Sequence, residues 1–264
     1  MTKITVFPNL VKDAQLLYTK RVVEVLEKLP CEFSVDEAIT EETRADLVFV
    51  LGGDGSIMRA ARCVSARDIP ILSINLGRVG YMAELKPEEI PLIAAYFEGH
   101  YTVDERMMLD VQPLNGKKRA LALNDAVVTG STVAHMVSME LQANAMHVAN
   151  YHADGLILST PTGSTAYSMA AGGSVIDPGL NCICATPICP YSFRSRPLVF
   201  RPDTVLDVYN NSKDETANVT VDGSECYPLE IGEGVRITRS ATITRLIRIK
   251  PDCFFSVLNA KLSD

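Results

Sequence analysis

Short apolar runs alternate with amphipathic stretches along the N-terminal part of the chain. The runs at residues 4–7, 46–51 and 70–75 have the length and the β-branched side chains of buried strands. Residues 13–29 place apolar side chains at near-helical intervals, and residues 87–99 begin with proline and end with glycine, so both stretches are predicted to be helices. Strands that alternate with helices indicate parallel βαβ units.

The pattern changes near residue 102, where short β-branched segments begin to follow one another with turn residues between them. This spacing predicts a β-rich second domain. We therefore predict an α/β domain over residues 1–101 and a β-rich domain over residues 102–251. The predicted strands of the second domain are residues 109–111, 120–129, 137–141, 147–151, 156–158, 198–200, 205–209, 219–221, 235–238 and 242–249.

The strand at residues 46–51 ends in a glycine-rich turn, after which a helical pattern begins; the turn reads Leu51-Gly52-Gly53-Asp54-Gly55-Ser56. Glycines allow the backbone to approach a ligand closely, and the free N–H groups of a helix N-terminus favour an anion such as phosphate. Asp54 adds a carboxylate, which fits an acceptor of a hydroxyl proton or an indirect ligand of a phosphate-bound metal ion. It equally fits an ordinary Asx-turn, so this stretch alone leaves both interpretations open.

A second glycine turn follows the strand at residues 70–75 and reads Leu76-Gly77-Arg78-Val79-Gly80-Tyr81. Ligands of parallel sheets bind beyond the carboxyl ends of the strands. Because both glycine turns stand at such ends, we expect them to share one crevice.

The β-rich region contains a run of six small hydroxyl residues from Ser159 to Ser168, which follows the strand that begins after Asp154. Residues 166–173, which are mostly small, are predicted to form a helix. Hydroxyl groups beside a helix N-terminus form a neutral hydrogen-bonding surface that suits ribose, phosphate or the edge of adenine. Helix capping accounts for one or two of the six hydroxyls, so we predict a binding role for this run.

Two acidic positions in the β-rich region have more than one interpretation. Asn124 and Asp125 end an apolar run, where an adjacent amide and carboxylate can clasp a ribose and a base edge or can form a turn. Asp222 and Gly223 follow an apolar strand and fit an ordinary turn, although their place at a strand end allows proximity to the crevice.

Composition and charge narrow the classes of partner and compartment. The formal net charge of −7 argues against a face that binds nucleic acid or a membrane, so anionic ligands must be held locally. The seven cysteines lack the paired spacing of a zinc site and fit a reducing compartment, and we predict no protein metal site. No apolar run reaches bilayer length and the N-terminus has no signal-peptide pattern, which predicts a cytoplasmic protein.

Taken together and in this order, the motifs closely resemble those of the NAD kinases. The resemblance extends from residue 46 to residue 223. It rests on the two glycine turns, on Asn124-Asp125, and on the segment from Asp154 through Ser168, followed by Gly172-Gly173 and residues 187–190. The first glycine turn alone also occurs in lipid kinases and phosphofructokinases, whereas the hydroxyl run makes the resemblance specific.

The resemblance implies transfer of the γ-phosphoryl group of ATP, or of polyphosphate in some members, to the 2′-hydroxyl of the adenosine ribose of NAD, which gives NADP. It also implies a Rossmann-like N-terminal α/β domain, a β-rich C-terminal domain, and packing of residues 252–264 back on the first domain. The expected cofactor is Mg²⁺ or another divalent cation carried by the nucleotide phosphates. Family members generally form homodimers or homotetramers, so we expect a homo-oligomer.

The resemblance also implies roles for individual residues. Asp54 falls on the catalytic aspartate, Tyr81 is expected to border the adenine, and Asp154 matches the acid near the nicotinamide riboside. Asn124 and Asp125 are expected to bind adenine and ribose. The other members of the expected nucleotide-binding set are Gly52, Gly53, Gly55, Ser56, Arg59, Thr162, Ser164, Thr165, Ala166, Tyr167 and Ala170.

Two residues depart from the family pattern. Where many relatives have Arg-Gly before the acid that matches Asp154, this chain has His152 and Ala153. The change removes a permanent cation and a freely adaptable backbone position, so the usual phosphate contacts are not assigned to this place.

Two other classes of function stay open at the level of sequence. One is another kinase with the same glycine turn, although the residues that follow it in lipid kinases and the other substrate motifs of phosphofructokinases are missing. The other is a regulator that binds a dinucleotide without converting it. Formation of NADP from NAD and Mg-ATP distinguishes these classes.

Overall fold

The computed structural model describes residues 1–77, 80–116, 119–132, 135–251 and 254–263, with their side chains except those of residues 225 and 226. The chain forms two compact units, one of residues 1–106 and 242–264 and the other of residues 107–241. The first unit is α/β and the second is β-rich. The predicted fold class is therefore confirmed.

In chain order, the strands are β1 (Thr2–Pro8), β2 (Cys31–Val35), β3 (Leu47–Gly52), β4 (Ile71–Asn75), β5 (Thr102–Pro113), β6 (Ala120–Ala122), β7 (Asp125–Gly130), β8 (Val137–Ala143), β9 (Met146–Ala153), β10 (Gly155–Ser159), β11 (Ile183–Ile188), β12 (Leu198–Phe200), β13 (Leu206–Asn210), β14 (Ala217–Val221), β15 (Glu225–Leu229) and β16 (Gly234–Arg248). The α-helices are α1 (Leu17–Leu26), α2 (Asp54–Val64), α3 (Ala94–Phe97), α4 (Tyr167–Ala170) and α5 (Phe254–Leu262). Short 3₁₀-helices cover Ser65–Arg67, Pro87–Ile93 and Thr162–Thr165. Within the described ranges, no helix has the length and apolar character needed to cross a membrane.

A parallel sheet in the order β2, β1, β3, β4 forms the centre of the first unit. Every residue of β3 is buried, as expected for a parallel strand that is covered on both faces. Gly52 at the end of β3 stands opposite Asn75 at the end of β4, and the Leu76 N–H donates to the Gly52 carbonyl oxygen at 2.9 Å. The two glycine turns therefore leave adjacent strands side by side.

Buried charges fix the chain just after the second glycine turn. The Arg248 guanidinium donates to Glu84 Oε2 at 3.2 Å, to Asp104 Oδ2 at 2.9 Å and to the Met82 carbonyl oxygen at 2.9 Å. Glu84 Oε1 also accepts the Ile249 N–H at 2.9 Å. The side chains of Arg248 and Glu84 are only 15% and 5% exposed, so each charge depends on its partners.

Two sets of strands build the second unit around one apolar core. A six-stranded antiparallel sheet has the order β12, β11, β10, β7, β14, β15. In the other set, β16, β13, β8 and β9 pair in that order, and β5 pairs with β16 and β6. Leu109 and Leu141 from the second set share a buried cluster with Leu156 and Val219 from the six-stranded sheet. The β-branched and apolar positions of the strands thus face a common interior.

The first predicted helix is shorter than its apolar pattern indicates. The prediction covered residues 13–29, whereas α1 begins at Leu17 and ends at Leu26. The Asp13 carboxylate accepts the N–H groups of Tyr18 at 3.1 Å and Thr19 at 2.9 Å, which satisfies N–H groups of the first turn from outside the helix. Side-chain capping, which apolar spacing does not report, therefore sets the helix start.

The other two predicted helices also differ from the structure. The helix predicted over residues 87–99 is a 3₁₀-helix followed by α3, and Pro91 within it lacks the N–H group that an α-helix uses at that position. The helix predicted over residues 166–173 is limited to the single turn of α4. Gly172 has a φ of 86°, which an α-helix does not accommodate.

Strand predictions fail where composition misleads. The strand β11 was not predicted because its Cys, Ala and Pro residues do not resemble a strand, yet pairing with β10 and β12 buries all six residues. The short strands β2 and β15 were also not predicted. The single segment predicted over residues 120–129 divides into β6 and β7, and the two segments predicted over residues 235–238 and 242–249 form one strand, β16.

Replacing Arg248 with methionine should destabilise the protein by about 3 to 5 kcal/mol, because the buried Glu84 carboxylate would lose its cation. Arg245→Met provides a matched control on the same strand, since its partners Asp68 and Glu105 are largely exposed and the pair is screened by solvent. The free energy of unfolding in urea measures both variants. Equal losses in the two variants would contradict a special role for the buried network.

Candidate active site

The first glycine turn places Asp54 at the start of helix α2. The strand β3 ends at Gly52, Gly53 is the N-cap residue and Asp54 is the first helical residue. A carboxylate in the first turn interacts favourably with the positive end of the helix dipole. The predicted sequence of strand, turn and helix is confirmed here.

Two backbone N–H groups of the second glycine turn bind the Asp54 carboxylate. The Tyr81 N–H donates to Oδ2 at 2.9 Å, and the Met82 N–H donates to Oδ1 at 3.2 Å. These donors lie 27 and 28 positions further along the chain, whereas an Asx-turn uses N–H groups of its own turn. Asp54 therefore joins the two turns. Arg78 and Val79, in the middle of the second turn, lie outside the described residues.

Gly80 makes this approach of the two turns possible. A Cβ atom at position 80 would lie 2.1 Å from Asp54 Oδ1 and 2.6 Å from Asp54 Cγ. Atoms cannot approach so closely without a shift, so any side chain here would displace the carboxylate. This close contact requires glycine at position 80.

The loop after β1 supports the first glycine turn. The Asn9 N–H donates to the Leu51 carbonyl oxygen at 2.8 Å, and Asn9 Nδ2 donates to Ser56 Oγ at 2.9 Å. Ser56 is buried, and a Cβ atom at Gly52 would lie 2.3 Å from its Oγ. Sequence reasoning missed Asn9, although its place at the carboxyl end of a parallel strand was an available signal.

Arg59 lies on the exposed side of α2. Its guanidinium carbon is 4.8 Å from the centroid of the Phe7 ring, which is a cation–π distance. The side chain thus contacts the end of β1, and its place in the nucleotide-binding set stays a prediction.

Tyr81, which is expected to border the adenine, lies against the C-terminal helix α5. Its ring centroid is 6.1 Å from that of Phe254, and Lys261 Nζ lies 4.3 Å from the Tyr81 centroid. Burial and the charge of Asp54 raise the pKa of the Tyr81 phenol. Within the predicted C-terminal segment 252–264, residues 252, 253 and 264 lie outside the described residues.

In the second unit, Asp222 holds the Asn124-Asp125 segment in place. Its carboxylate accepts the N–H groups of Leu123 at 2.9 Å, Asn124 at 2.8 Å and Asp125 at 3.1 Å. Asp222 has a left-handed φ of 47° and precedes Gly223, so it does form a turn. The sequence identified the turn but missed the support it gives to a segment 97 to 99 positions earlier.

The Asp125 carboxyl group has an unusual proton affinity. Asp125 is only 6% exposed. Burial is the largest cause that raises the pKa of its carboxyl group from 3.8 to about 7, and the charge of Asp222 is the second. Near neutral pH the group is therefore divided between a neutral donor and a charged acceptor. Both forms can hydrogen-bond to ribose hydroxyls.

The hydroxyl run packs against the same segment. Thr160 Oγ1 donates to the Leu123 carbonyl oxygen at 2.6 Å and accepts the Gly163 N–H at 3.0 Å. A Cβ atom at Gly163 would lie 2.1 Å from the Asn124 carbonyl oxygen, so glycine allows the two backbones to meet. The structure thus brings together two motifs that are far apart in sequence.

Most hydroxyls of the run have structural partners. Ser164 Oγ donates to the Pro161 carbonyl oxygen at 2.7 Å, Thr165 Oγ1 donates to the Thr162 carbonyl oxygen at 3.2 Å, and Ser168 Oγ pairs with a neighbouring threonine hydroxyl at 2.9 Å. The number of hydroxyls therefore does not by itself indicate a binding surface, and the binding role of the run stays a prediction. Thr165 and Ala166 are half-buried, while Tyr167 and Ala170 are exposed, so these four positions can meet a ligand.

Asp154 and His152 lie at the junction of β9 and β10, and both are exposed. His152 Nδ1 is 3.2 Å from Ser138 Oγ, and its ring centroid is 6.1 Å from that of Tyr191. His152 thus has protein partners of its own. Among the described residues, no group of three or more His, Cys, Asp or Glu side chains could hold a metal ion.

The chain matches two family models. Residues 10–101 match the ATP-NAD kinase N-terminal domain, and residues 123–249 match the ATP-NAD kinase C-terminal domain. The chain belongs to the NAD kinase family. The resemblance of its motifs to those of the NAD kinases is thereby confirmed.

Individual members of the family support the assignment over nearly the whole chain. An NAD kinase of Geobacter sulfurreducens is 40% identical over 83% of this chain and 78% of its own length. An NAD kinase of a Geobacter species is 37% identical over 99% and 98% of the two chains. Among solved structures, an NAD kinase from Archaeoglobus fulgidus in complex with ATP has a TM-score of 0.84 at 28% identity and covers 99% of this chain and 98% of its own.

A further solved structure, yeast NADH kinase complexed with NADH, shares the fold of this NAD kinase family member. Its TM-score is 0.86 at 20% identity, over 100% of this chain and 88% of its own. Both glycine turns lie in the part that matches the N-terminal family domain, and Asn124, Asp125 and the hydroxyl run lie in the part that matches the C-terminal one.

The raised pKa of Asp125 should make the stability of this protein depend on pH. The unfolded chain loses this proton near pH 4 and the folded chain near pH 7, so the free energy of unfolding should fall as pH rises between these values, by about 3 kcal/mol from about pH 5 to about pH 8. Asp125→Asn removes the titration. Urea unfolding of both proteins across this range should show the wild type losing stability relative to the variant.

A constant stability difference between wild type and Asp125→Asn over the same range would contradict this prediction. It would mean that the folded protein holds the Asp125 carboxylate in its charged form throughout.

Proposed function

We propose that this chain transfers the γ-phosphoryl group of ATP to the 2′-hydroxyl of the adenosine ribose of NAD, with Asp54 as the general base. The observation that carries the proposal is the orientation of the Asp54 carboxylate. It stands at the N-terminus of α2 and is fixed by the N–H groups of Tyr81 and Met82. A fixed carboxylate beside a phosphate-binding backbone suits activation of an alcohol.

The chemical step needs a proton acceptor because a ribose hydroxyl is a weak nucleophile at neutral pH. Asp54 accepts the hydroxyl proton as the 2′-oxygen bonds to the γ-phosphorus. The bond between that phosphorus and the bridging oxygen breaks, and ADP leaves with the bond electrons. NADP and ADP are the products.

The glycine turn contributes to the phosphate side of the reaction. Gly53 and Gly55 leave the backbone accessible, while the buried Gly52 allows close packing against Ser56, and the N–H groups at the start of α2 can donate to phosphate oxygens. Phosphoryl transfer depends chiefly on positioning and on charge compensation. We propose that Mg²⁺ or another divalent cation arrives as part of the ATP substrate and compensates the charge of the phosphates.

The second unit contributes the residues proposed to bind NAD. Asn124 and Asp125, held by Asp222, offer an amide and a carboxyl group to adenine and ribose. Asp154 is exposed, and its carboxylate can accept hydrogen bonds from the hydroxyl groups of the nicotinamide riboside. The remaining proposed contacts come from the accessible positions Thr165, Ala166, Tyr167 and Ala170, whereas Thr162 and Ser164 stay predictions because both are buried. A homodimer or homotetramer stays our prediction for the oligomeric state, and the cytoplasm for the compartment.

Asp54→Asn should lower kcat by about 10²- to 10⁴-fold, because the amide cannot accept the proton, while NAD binding is retained. Purified protein is incubated with Mg-ATP and NAD, NADP is quantified with an NADP-specific dehydrogenase, and NAD affinity is measured by calorimetry. Unchanged kcat in this variant would refute the role of Asp54. Tight NAD binding by the wild type without NADP formation would instead identify a nucleotide-binding regulator.

Gly80→Ala tests whether the orientation of the base matters. The added Cβ should displace the Asp54 carboxylate and reduce kcat, whereas Gly55→Ala, whose Cβ meets no atom within 4 Å, should cost less. Steady-state kinetics and the Tm of both variants separate loss of activity from loss of folding. A Gly80→Ala variant with wild-type kcat would mean that catalysis does not need this orientation.

A further inference from the structure

The loop that follows β1 is anchored beside the first glycine turn and carries a lysine. Asn9 bonds to the Leu51 carbonyl oxygen and to Ser56 Oγ. The Lys12 N–H in turn donates to the Asn9 carbonyl oxygen at 3.0 Å and lies 3.3 Å from Asn9 Oδ1. The backbone of Lys12 is therefore fixed relative to the start of α2.

The Lys12 ammonium occupies space that both glycine turns leave open. A Cβ atom at Gly53 would lie 2.9 Å from Lys12 Nζ, and a Cβ atom at Gly77 would lie 2.7 Å from it. Neither glycine has a left-handed φ angle, so the absence of a side chain, and not backbone freedom, is what these positions provide. One cation thus stands next to the backbone of both turns.

The Lys12 side chain is exposed, so its ammonium is solvated by water and accessible to a ligand. Within the described ranges, Lys12 forms no ion pair, and the Asp54 carboxylate is bound to the Tyr81 and Met82 N–H groups. The N-terminus of α2 carries positive partial charge, so a cation beside Gly53 meets an unfavourable field. A bound anion would pair with the Lys12 ammonium and would offset this unfavourable field. The net charge of −7 of the whole chain offers no general attraction for an anion.

We propose that Lys12 binds a phosphate group of the ATP donor and compensates its charge during transfer. This inference rests on the proposed function. The triphosphate is favoured over the diphosphate of NAD because the ammonium lies at the glycine turn that starts α2, where the phosphoryl donor is proposed to bind. Its role is charge compensation and positioning, with proton transfer left to Asp54.

Lys12→Ala should raise the KM for Mg-ATP by about 10- to 100-fold, which is the loss expected for a hydrogen bond between charged groups, with the KM for NAD unchanged. Lys12→Arg should restore part of the affinity because it retains the positive charge. Lys20→Ala is the matched control, since Lys20 is exposed like Lys12 but lies on α1, and its loss should leave both KM values and kcat unchanged. The Tm of each variant verifies folding.

Gly77→Ala provides an independent test through the same ammonium. Its Cβ should push aside the flexible end of the Lys12 side chain and raise the KM for Mg-ATP in the wild-type background. In the Lys12→Ala background there is no ammonium to displace, so the same substitution should have a much smaller effect. Additive effects of the two substitutions would overturn the proposal.

Calorimetry of Mg-ATP binding separates this inference from the proposed function. If the wild type forms no NADP, the proposed function fails, and weaker Mg-ATP binding by Lys12→Ala would still support the role of Lys12. If the wild type is active and Lys12→Ala keeps its KM for Mg-ATP, the inference alone is overturned. A rise in the KM for NAD alone would overturn it in favour of the NAD diphosphate.

Discussion

The hydrogen bonds from the backbone of one glycine turn to the Asp54 carboxylate are the constraint on which the candidate site depends. They require β3 and β4 to be adjacent and parallel, so that both turns leave the sheet at the same edge. They require glycine at position 80, where a side chain would occupy the carboxylate position. Arg248 stabilises the same segment, because its guanidinium donates to the Met82 carbonyl oxygen within a buried ionic network. The buried ionic network thus supports the segment whose N–H groups orient the candidate base.

The second unit uses the same kind of interaction for a different purpose. The Asp222 carboxylate collects three backbone N–H groups and so fixes the segment that contains Asn124 and Asp125. Burial raises the pKa of the Asp125 carboxyl group to about 7, and the nearby Asp222 charge adds to this shift. Asp222 thus fixes the segment proposed to bind NAD and also contributes to the raised pKa of Asp125.

Sequence patterns predicted most of the architecture because burial repeats along regular elements. The β3 strand, its glycine turn and α2 follow from an apolar run, glycines and a change of period. The pattern failed where structure depends on distant partners. The strand β11 contains Cys and Pro and is stabilised by neighbours on both sides, while most hydroxyls between Ser159 and Ser168 bind protein groups that their spacing does not reveal.

The sequence by itself determined the fold class, the family resemblance and the identity of the candidate base, since these depend on local order and residue type. The tertiary structure decided which groups meet. It brought the Asp54 carboxylate to the Tyr81 N–H group and the Asp222 carboxylate to the Asn124 N–H group. It also brought the Lys12 ammonium next to both glycine turns. Such contacts join residues far apart in the chain, and their geometry is set by strand register and close packing, which no single stretch of sequence encodes.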